Sequence, residues 1–256
     1  DGYRALRRQL AGRRYDAVLH MQLAIRASIA AATVPAGVKI GFDRARAREL
    51  QWLFTTHRIA ARSREHVLDS LFGFAERLGV RQRSMRWDIP LPPAALEYAA
   101  RAIPDQQPTL VVSPCSSHEL RNWSADGYAA VADHAAARHG MRVLICGGRS
   151  DLELAVGSRI EQLMRQPCVN LVGKDTLLEM LATLQRATVL VSPDSGPAHM
   201  ATTVGTPVIG LYAATNPARS GPYYSRSWCV DRYDAAARDF LGRQANDVAW
   251  TPKIER

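Results

Sequence analysis

The sequence predicts an α/β protein built on parallel sheets that helices cover on both faces. Over residues 109–212, five short apolar segments alternate with helical segments. The connections between these segments are short, which is typical of repeated βαβ units. Each predicted strand is a continuous apolar run, as expected for a sheet that is buried on both faces.

The N-terminal part of the chain follows the same pattern less completely. Alternating strands and helices are predicted at residues 15–21, 23–32, 38–42 and 66–78. The last of these helices places its apolar side chains on one face. The proline-rich segment 89–93 is typical of a linker. The sequence therefore predicts two domains, an N-terminal one over residues 1–90 and a C-terminal one over residues 91–256.

Capping residues indicate the helix boundaries in the C-terminal part. Ser124 is expected to begin a helix that Gly140 ends. The pattern Ser/Thr-x-x-Glu predicts capping boxes at residues 150–153 and 176–179. The predicted strands are 109–113, 141–146, 168–171, 188–192 and 207–212, and the helices between them are 124–139, 150–165, one from residue 176, and 195–204.

The composition limits the classes of function without choosing among them. The chain has 256 residues and a net charge of +9, and only three of its 33 basic residues are lysines. Arginine favours planar, bidentate recognition of phosphate and carboxylate. A basic balance is typical of proteins that bind nucleic acid, an anionic membrane surface or an anionic small substrate, and equally of a solvated arginine-rich surface.

Several familiar sites are missing from the sequence. The four cysteines form no Cys-x-x-Cys pair, so neither structural zinc nor a disulfide scaffold is expected. A reduced, cytosolic compartment is expected instead. There is no Walker A sequence, no Gly-x-Gly-x-x-Gly after a strand and no Gly-x-Ser-x-Gly elbow. There is no Asp-x-Asp, and the histidines lack metal-ligand spacing, so no metal site is expected.

The predicted sheet suggests where a ligand binds. In doubly wound sheets ligands lie beyond the carboxyl ends of the strands, where the strand order reverses. In the common order 3-2-1-4-5, the first and fourth strands are neighbours, so the loops that follow them flank one crevice. These loops, residues 113–123 and 192–199, are also the two most unusual polar stretches of the chain.

The second loop has the features of a phosphate site. Asp194 lies where a strand gives way to a helix, and Ser195 and Gly196 would offer free backbone N–H groups at the helix N-terminus. Gly196 would let a ligand approach the backbone closely. His199 lies one helical turn beyond Ser195. The alternative is that Asp194 merely caps the helix.

The first loop adds small hydroxyl groups and a cation. Ser116, Ser117 and Arg121 suit an anionic ligand, and an arginine can hold a diphosphate in bidentate fashion. The alternative is an ordinary polar loop that Trp123 anchors to the core. The position of this loop beside the Asp194 loop favours a binding site.

Several segments, spread over nearly the whole chain, resemble those of one known family. They are Arg121-Asn-Trp123, segments 15–22 and 41–46, and four longer segments. The four are Gly173-Lys-Asp-Thr-Leu-Leu-Glu-Met-Leu, Val191-Ser-Pro-Asp-Ser-Gly-Pro-Ala-His-Met-Ala, Gly205-Thr-Pro-Val-Ile-Gly-Leu-Tyr and Thr215-Asn-Pro-Ala-Arg-Ser-Gly-Pro-Tyr. The sequence resembles the bacterial lipopolysaccharide heptosyltransferases of the ADP-heptose type, which form glycosyltransferase family 9.

The resemblance implies a GT-B glycosyltransferase with two Rossmann-like domains, the N-terminal one incomplete. It implies inverting, metal-independent transfer of heptose from ADP-heptose to an inner-core lipopolysaccharide acceptor, without a cofactor. By the same resemblance Asp194 holds the heptose, Ser195 and Gly196 meet the diphosphate, and His199 and Arg121 assist.

Further roles follow from the same resemblance. The helix after Thr176, which carries Leu177, and the loop after Cys146 would line the adenosine, and Glu153 or Asp151 would meet the ribose. The family's catalytic base is expected upstream of residue 1, and its last segment beyond Trp250-Thr-Pro-Lys, so the chain is expected to be truncated at both ends. The acceptor is anionic, and the arginines expected to bind it are Arg26, Arg44 and Arg46.

The expected partners are a nucleotide-sugar donor and a lipopolysaccharide-core acceptor, with no nucleic acid. The expected location is the cytoplasm, with peripheral contact at the cytoplasmic face of the inner membrane. Three alternatives remain open at this point. They are a GT-B transferase that uses another nucleotide sugar, a non-catalytic relative, and a nucleic-acid-binding module, which lacks the usual recognition motifs here.

Overall fold

The computed structural model describes residues 2–250, so the end of the Trp-Thr-Pro-Lys motif, residues 251–253, lies outside the described residues. The chain forms two compact units that divide between Met85 and Arg86, just before the predicted linker at 89–93. Over the described range, no helix has the length and apolar character needed to cross a membrane. The α/β class with parallel sheets is confirmed in both units.

Unit 1 is a three-stranded parallel sheet in the order β1-β2-β3. Its core gathers Ile40, Ile59 and the edge-to-face pair Phe42 and Phe74, whose ring centroids lie 5.1 Å apart. Sequence reasoning did not predict α1, which is rich in arginine, or β3, which has only two residues. The elements are α1 (Gly2–Gln9), β1 (Tyr15–Leu19), α2 (Ile25–Thr33), β2 (Ala36–Gly41), β3 (His57–Arg58) and α3 (Val67–Arg77).

Unit 2 is a six-stranded parallel sheet in the order β6-β5-β4-β7-β8-β9. This is the order assumed from the sequence, with one further strand at the edge. The strands are β4 (Thr109–Val112), β5 (Arg142–Ile145), β6 (Val169–Asn170), β7 (Val189–Pro193), β8 (Val208–Tyr212) and β9 (Val230–Asp231). The helices are α4 (Pro93–Ala102), α5 (Ala125–His139), α6 (Asp151–Leu163), α7 (Leu177–Arg186), α8 (Gly196–Thr203), α9 (Pro217–Ser220) and α10 (Tyr233–Leu241).

Most of the predicted helix caps are confirmed. The Ser124 hydroxyl accepts a hydrogen bond from the Gly127 N–H, and Gly140 ends α5 with a φ of 62°, which glycine adopts without strain. At 176–179 both bonds of the capping box are present. The box predicted at 150–153 is wrong in one half, because the Glu153 carboxylate does not bond back to the backbone of residue 150. It accepts instead from the Ser150 hydroxyl at 2.6 Å and the Gly148 N–H at 2.8 Å.

The helix α4 begins inside the predicted linker. Proline fits the first position of a helix because that residue needs no N–H partner, and α4 starts at Pro93. Its small residues Ala95 and Ala99 pack with Ala182 of α7, and all three side chains are buried. The proline-rich segment therefore contains a helix start, which a reading of prolines as linker residues misses.

Candidate functional site

A cavity of about 800 Å³ opens at the carboxyl ends of β4, β5, β6 and β7 in unit 2. Its walls come from the loops that follow these four strands, as expected for a doubly wound sheet. The residues suggested for donor binding that line it are Ser116, Ser117, Arg121, Glu153, Leu177, Asp194, Ser195, Gly196 and His199. Asp151, the other residue suggested for the ribose, does not line the cavity.

The pairing of β4 with β7 brings the two polar loops together. Val112 at the end of β4 lies opposite Val191 of β7, so the loops that follow start side by side. Arg121 crosses between them, and its Nη1 donates to the backbone oxygen of Asp194 at 3.1 Å. The same Nη1 lies 3.4 Å from the Asp194 carboxylate. The predicted meeting of these loops therefore occurs through a charged contact.

The carboxylate of Asp194 is buried and held on several sides. The His199 Nε2 lies 3.8 Å from one of its oxygens, and the Ser220 hydroxyl donates to the other at 3.5 Å. Burial alone would raise the pKa of Asp194, but the neighbouring side chains of His199, Arg121 and Thr215 bring it below its ordinary value. Asp194 is therefore an ionised hydrogen-bond acceptor rather than a group that takes up protons near neutral pH.

The N-terminus of α8 has no side-chain cap. Ser195 occupies the capping position, yet its side chain makes no capping hydrogen bond, and its hydroxyl lies 2.8 Å from that of Ser192. The interpretation of Asp194 as the cap is wrong, since it precedes the capping position and its carboxylate is held by other groups. The first N–H groups of α8 thus face a cavity without a protein acceptor on the cap, which favours an anion there.

Neither backbone geometry nor packing requires the glycine at 196. A Cβ added to Gly196 would meet nothing within 4 Å, and its φ lies outside the left-handed region. Gly127 differs, because a Cβ there would lie 2.4 Å from the ring of Trp123. The open space at Gly196 is part of the cavity wall, which is what close approach of a ligand to the backbone needs.

Gly196→Ala is expected to weaken ADP binding about tenfold, or ~1.4 kcal/mol, because the new methyl group enters space that a phosphate oxygen would use. Stability should change by no more than about 0.5 kcal/mol, as for other open positions. Calorimetric titration with ADP and thermal unfolding measure the two quantities. Gly37→Ala is the matched control, since an added Cβ also meets nothing there. ADP affinity unchanged in Gly196→Ala would show that no ligand approaches this backbone.

The first loop is held by its own hydrogen bonds. The Ser116 backbone N–H donates to the Asn122 side chain at 2.7 Å, and the Ser116 hydroxyl donates to the backbone oxygen of His118 at 3.0 Å. Ser117 is exposed. Trp123 packs over Gly127, so the anchoring role considered for it is present together with the binding site and is not an alternative to it.

The far end of the cavity combines an apolar wall with a half-buried carboxyl group that sequence reasoning missed. Leu177 and Met180 of α7 line it beside Gly147 and Gly148, which follow β5. Asp175 also lines it, and burial raises the pKa of this carboxyl group to about 6. Its only signal in the sequence is its position after β6, at the same sheet edge as Asp194.

The three arginines suggested for the acceptor lie in unit 1 and differ in their surroundings. Arg26 is exposed on α2, and the Arg44 guanidinium lies 4.8 Å from the centre of the Trp52 ring. Arg46 is bound to the carboxylates of Asp43 and Glu65, and its side chain is only 17% exposed. Arg46 therefore stabilises its own loop, while the acceptor role of all three stays a prediction.

The thiols offer no reactive centre. All four cysteines are free, and burial raises the pKa of the Cys115 thiol to about 11. A thiol with so high a pKa is a poor nucleophile near neutral pH. Between residues 2 and 250, no three His, Cys, Asp or Glu side chains gather as a metal site would require.

The whole chain is similar to proteins of one known family. The family model described as glycosyltransferase family 9 (heptosyltransferase) matches residues 3–245. The lipopolysaccharide core heptosyltransferase OpsX of Haemophilus influenzae is 38% identical, with 99% of this chain and 73% of the relative covered. Two solved structures share the fold. The family 9 glycosyltransferase of Veillonella parvula has a TM-score of 0.74, 23% identity and coverage of 96% of this chain and 71% of its own. The Escherichia coli heptosyltransferase WaaC with ADP has a TM-score of 0.69, 22% identity and coverage of 86% and 67%.

Proposed function

This chain belongs to glycosyltransferase family 9, the heptosyltransferases, and on that premise we propose that it transfers a heptose from ADP-heptose to the inner core of lipopolysaccharide. One observation carries the proposal. The Asp194 carboxylate, the Arg121 guanidinium and the uncapped N-terminus of α8 converge on one cavity. That set pairs cationic and N–H donors for a diphosphate with an acceptor for sugar hydroxyl groups.

The donor would span the cavity from one end to the other. The adenosine would lie at the apolar end, between Leu177 and Met180 of α7 and the glycines after β5. The diphosphate would lie at Arg121, Ser195 and Gly196, where N–H donors and the helix dipole favour negative charge. The heptose would then reach Asp194, an ionised carboxylate that can accept hydrogen bonds from its hydroxyl groups.

The reaction we propose is a displacement that inverts the anomeric carbon. The acceptor hydroxyl oxygen forms a bond to that carbon while the bond to the diphosphate oxygen breaks. A general base takes the hydroxyl proton, and ADP leaves with the bonding electrons. The negative charge that develops on ADP meets Arg121 and the N-terminus of α8, which supply positive charge without a metal ion. The low pKa of Asp194 suits it to hold the sugar and not to act as the base.

The location we propose follows from the acceptor. A lipopolysaccharide core is anionic and anchored in a membrane by its lipid, so the enzyme would work at the cytoplasmic face of the inner membrane. The net charge of +9 would favour contact with such a surface. The arginines suggested for the acceptor would take part in the same attraction.

Nucleotide preference tests the proposal. At a concentration a hundred times its dissociation constant, a ligand that binds only the folded protein stabilises it by about 2.7 kcal/mol. ADP is therefore expected to raise the melting temperature by several degrees, and UDP and GDP by much less. A larger response to UDP or GDP would indicate a different nucleotide sugar. No response to any of the three would overturn the donor site.

A further inference from the structure

The net charge of the chain is concentrated in unit 1. Residues 1–85 hold 16 basic and 7 acidic side chains, a net charge of +9, whereas residues 86–256 hold 17 of each. The residues that line the donor cavity all belong to unit 2, so the nucleotide does not require the excess charge. Unit 1 therefore carries a positive charge that the donor site does not explain.

The densest part of this charge is residues 2–15, here named the basic segment. It contains no acidic residue, and in the part of the chain that the structure describes none of its arginines forms an ion pair with a carboxylate. Arg46 of the same unit differs, because it is paired with Glu65. The five arginines of the basic segment are all exposed, and they are Arg4, Arg7, Arg8, Arg13 and Arg14.

The helix α1 separates its arginines from its apolar side chains. Arg4, Arg7 and Arg8 are spaced by three and four residues, so they lie on one face of the helix. Ala5 and Leu6, which are half-buried, lie away from that face, and α1 packs on α2. Like charges at these spacings repel one another, so an external anion would stabilise the arrangement.

The other two arginines stay close to the end of α1. The Arg13 N–H donates to the Leu10 carbonyl oxygen at 3.1 Å, and Gly12 turns the chain with a φ of 78°, which glycine adopts without strain. Along the helix axis Arg4 and Arg8 are about 6 Å apart, which is less than the Debye length of about 8 Å at physiological salt. The charges of the basic segment therefore act together on a nearby anionic surface.

We propose that the basic segment docks the protein on an anionic phospholipid surface. The inference deepens the proposed function and rests on it, because an acceptor anchored by its lipid has to be met at a membrane. Clusters of about four to eight basic residues on an amphipathic helix are typical of segments that bind anionic lipids. Tyr3 of α1 is 41% exposed, and tyrosine is enriched where membrane meets water.

Binding to lipid vesicles tests the basic segment. The probes are phosphatidylcholine vesicles with and without phosphatidylglycerol, and bound protein is measured by co-sedimentation. The wild type is expected to bind only the anionic vesicles, and more weakly as salt is raised. The triple variant Arg4→Gln, Arg7→Gln and Arg8→Gln should bind them roughly 10²-fold more weakly, at a factor of about five for each arginine near the surface.

Two further variants separate the position of the charge from its amount. Arg138, Arg159 and Arg243 of unit 2 are also exposed and, among the described residues, form no ion pair. Their change to glutamine removes the same net charge and should leave vesicle binding as in the wild type. The double variant Arg13→Gln and Arg14→Gln leaves α1 intact and should bind roughly 30-fold more weakly, so it tests the segment even if the triple variant fails to fold.

The outcomes distinguish the docking surface from the donor site. Failure of the wild type to bind phosphatidylglycerol vesicles, or equal losses in the two triple variants, would overturn the docking surface. Stronger binding to duplex DNA than to the anionic vesicles at the same salt would overturn it in favour of nucleic acid. The rise in melting temperature with ADP should be unchanged in every variant, since these arginines do not line the donor cavity. Absence of that rise in the wild type would overturn the proposed function and leave the vesicle result standing.

Discussion

Asp194→Asn is expected to abolish the preference of the cavity for ADP-heptose over ADP and to slow heptose transfer about 10²-fold or more. The amide keeps the shape of the side chain, but one of the two acceptor oxygens becomes an NH2 group, which cannot accept hydrogen bonds. The negative charge that His199 and Arg121 contact is also lost. ADP itself should bind as well as before or more tightly, because a negative charge beside the diphosphate is removed. The sugar contact, and not the nucleotide contact, is thus the one expected to fail.

Two binding titrations and one measurement of the transfer rate test this expectation. Calorimetry compares ADP with ADP-heptose in each protein, and transfer is followed as release of ADP. The matched control is Asp105→Asn, which removes a carboxylate that also pairs with an arginine, Arg142, at the amino end of the same sheet. If Asp194→Asn bound ADP-heptose as tightly as the wild type, Asp194 would have no part in holding the sugar.

The role of Asp194 shows how far sequence reasoning reaches. Its place at the carboxyl end of a buried strand follows from the alternation of strands and helices in the sequence. Its proximity to Arg121 follows from the strand order. Its charge state does not follow from the sequence in full, because part of the lowering of its pKa comes from Thr215, which lies in the loop after another strand. Contacts between distant parts of the chain leave no local pattern in the sequence, so they appear only in the fold.

The two predicted capping boxes show the same difference between local contacts and contacts from distant parts of the chain. The bonds at 176–179 lie within one turn, so the pattern of side chains predicts them fully. At 150–153 the same pattern predicts the helix start, but the Glu153 side chain is drawn to the Gly148 N–H in the cavity wall. The competing donor comes from the loop after β5, and it prevails over the local partner.

Three of the elements that sequence reasoning missed, β3, β9 and α4, leave little local signal in the sequence. The strands β3 and β9 have two residues each, which is too few for an alternating or apolar run to be recognised. The helix α4 is stabilised by packing of alanines on α7, a contact between small side chains with little local signal. In all three cases tertiary pairing, and not local propensity, determines the structure.

Arg121→Ala is expected to weaken ADP binding by about 1.5–3 kcal/mol, or roughly 10- to 150-fold, the range for hydrogen bonds to a charged group. The side chain is 25% exposed, and Asp194 holds its Nη1. The buried Nε has no hydrogen-bond partner, so the arginine has donor capacity left for a ligand. Arg121→Lys should lose less than the alanine variant, because the charge remains while the planar pair of donors is lost.

Binding of adenosine, which lacks the diphosphate, distinguishes loss of a phosphate contact in Arg121→Ala from a structural effect of the substitution. A residue that binds the diphosphate should change the affinity for ADP and leave the affinity for adenosine as it was, whereas collapse of the loop would reduce both. Arg142→Ala is the matched control, since Arg142 also pairs with an aspartate but lines no part of this cavity. Higher salt should reduce the difference in ADP affinity between the wild type and Arg121→Ala, because salt screens the attraction between the guanidinium group and the diphosphate. Equal ADP affinity in the two proteins at low salt would remove Arg121 from the donor site and leave the uncapped N-terminus of α8 as the phosphate contact.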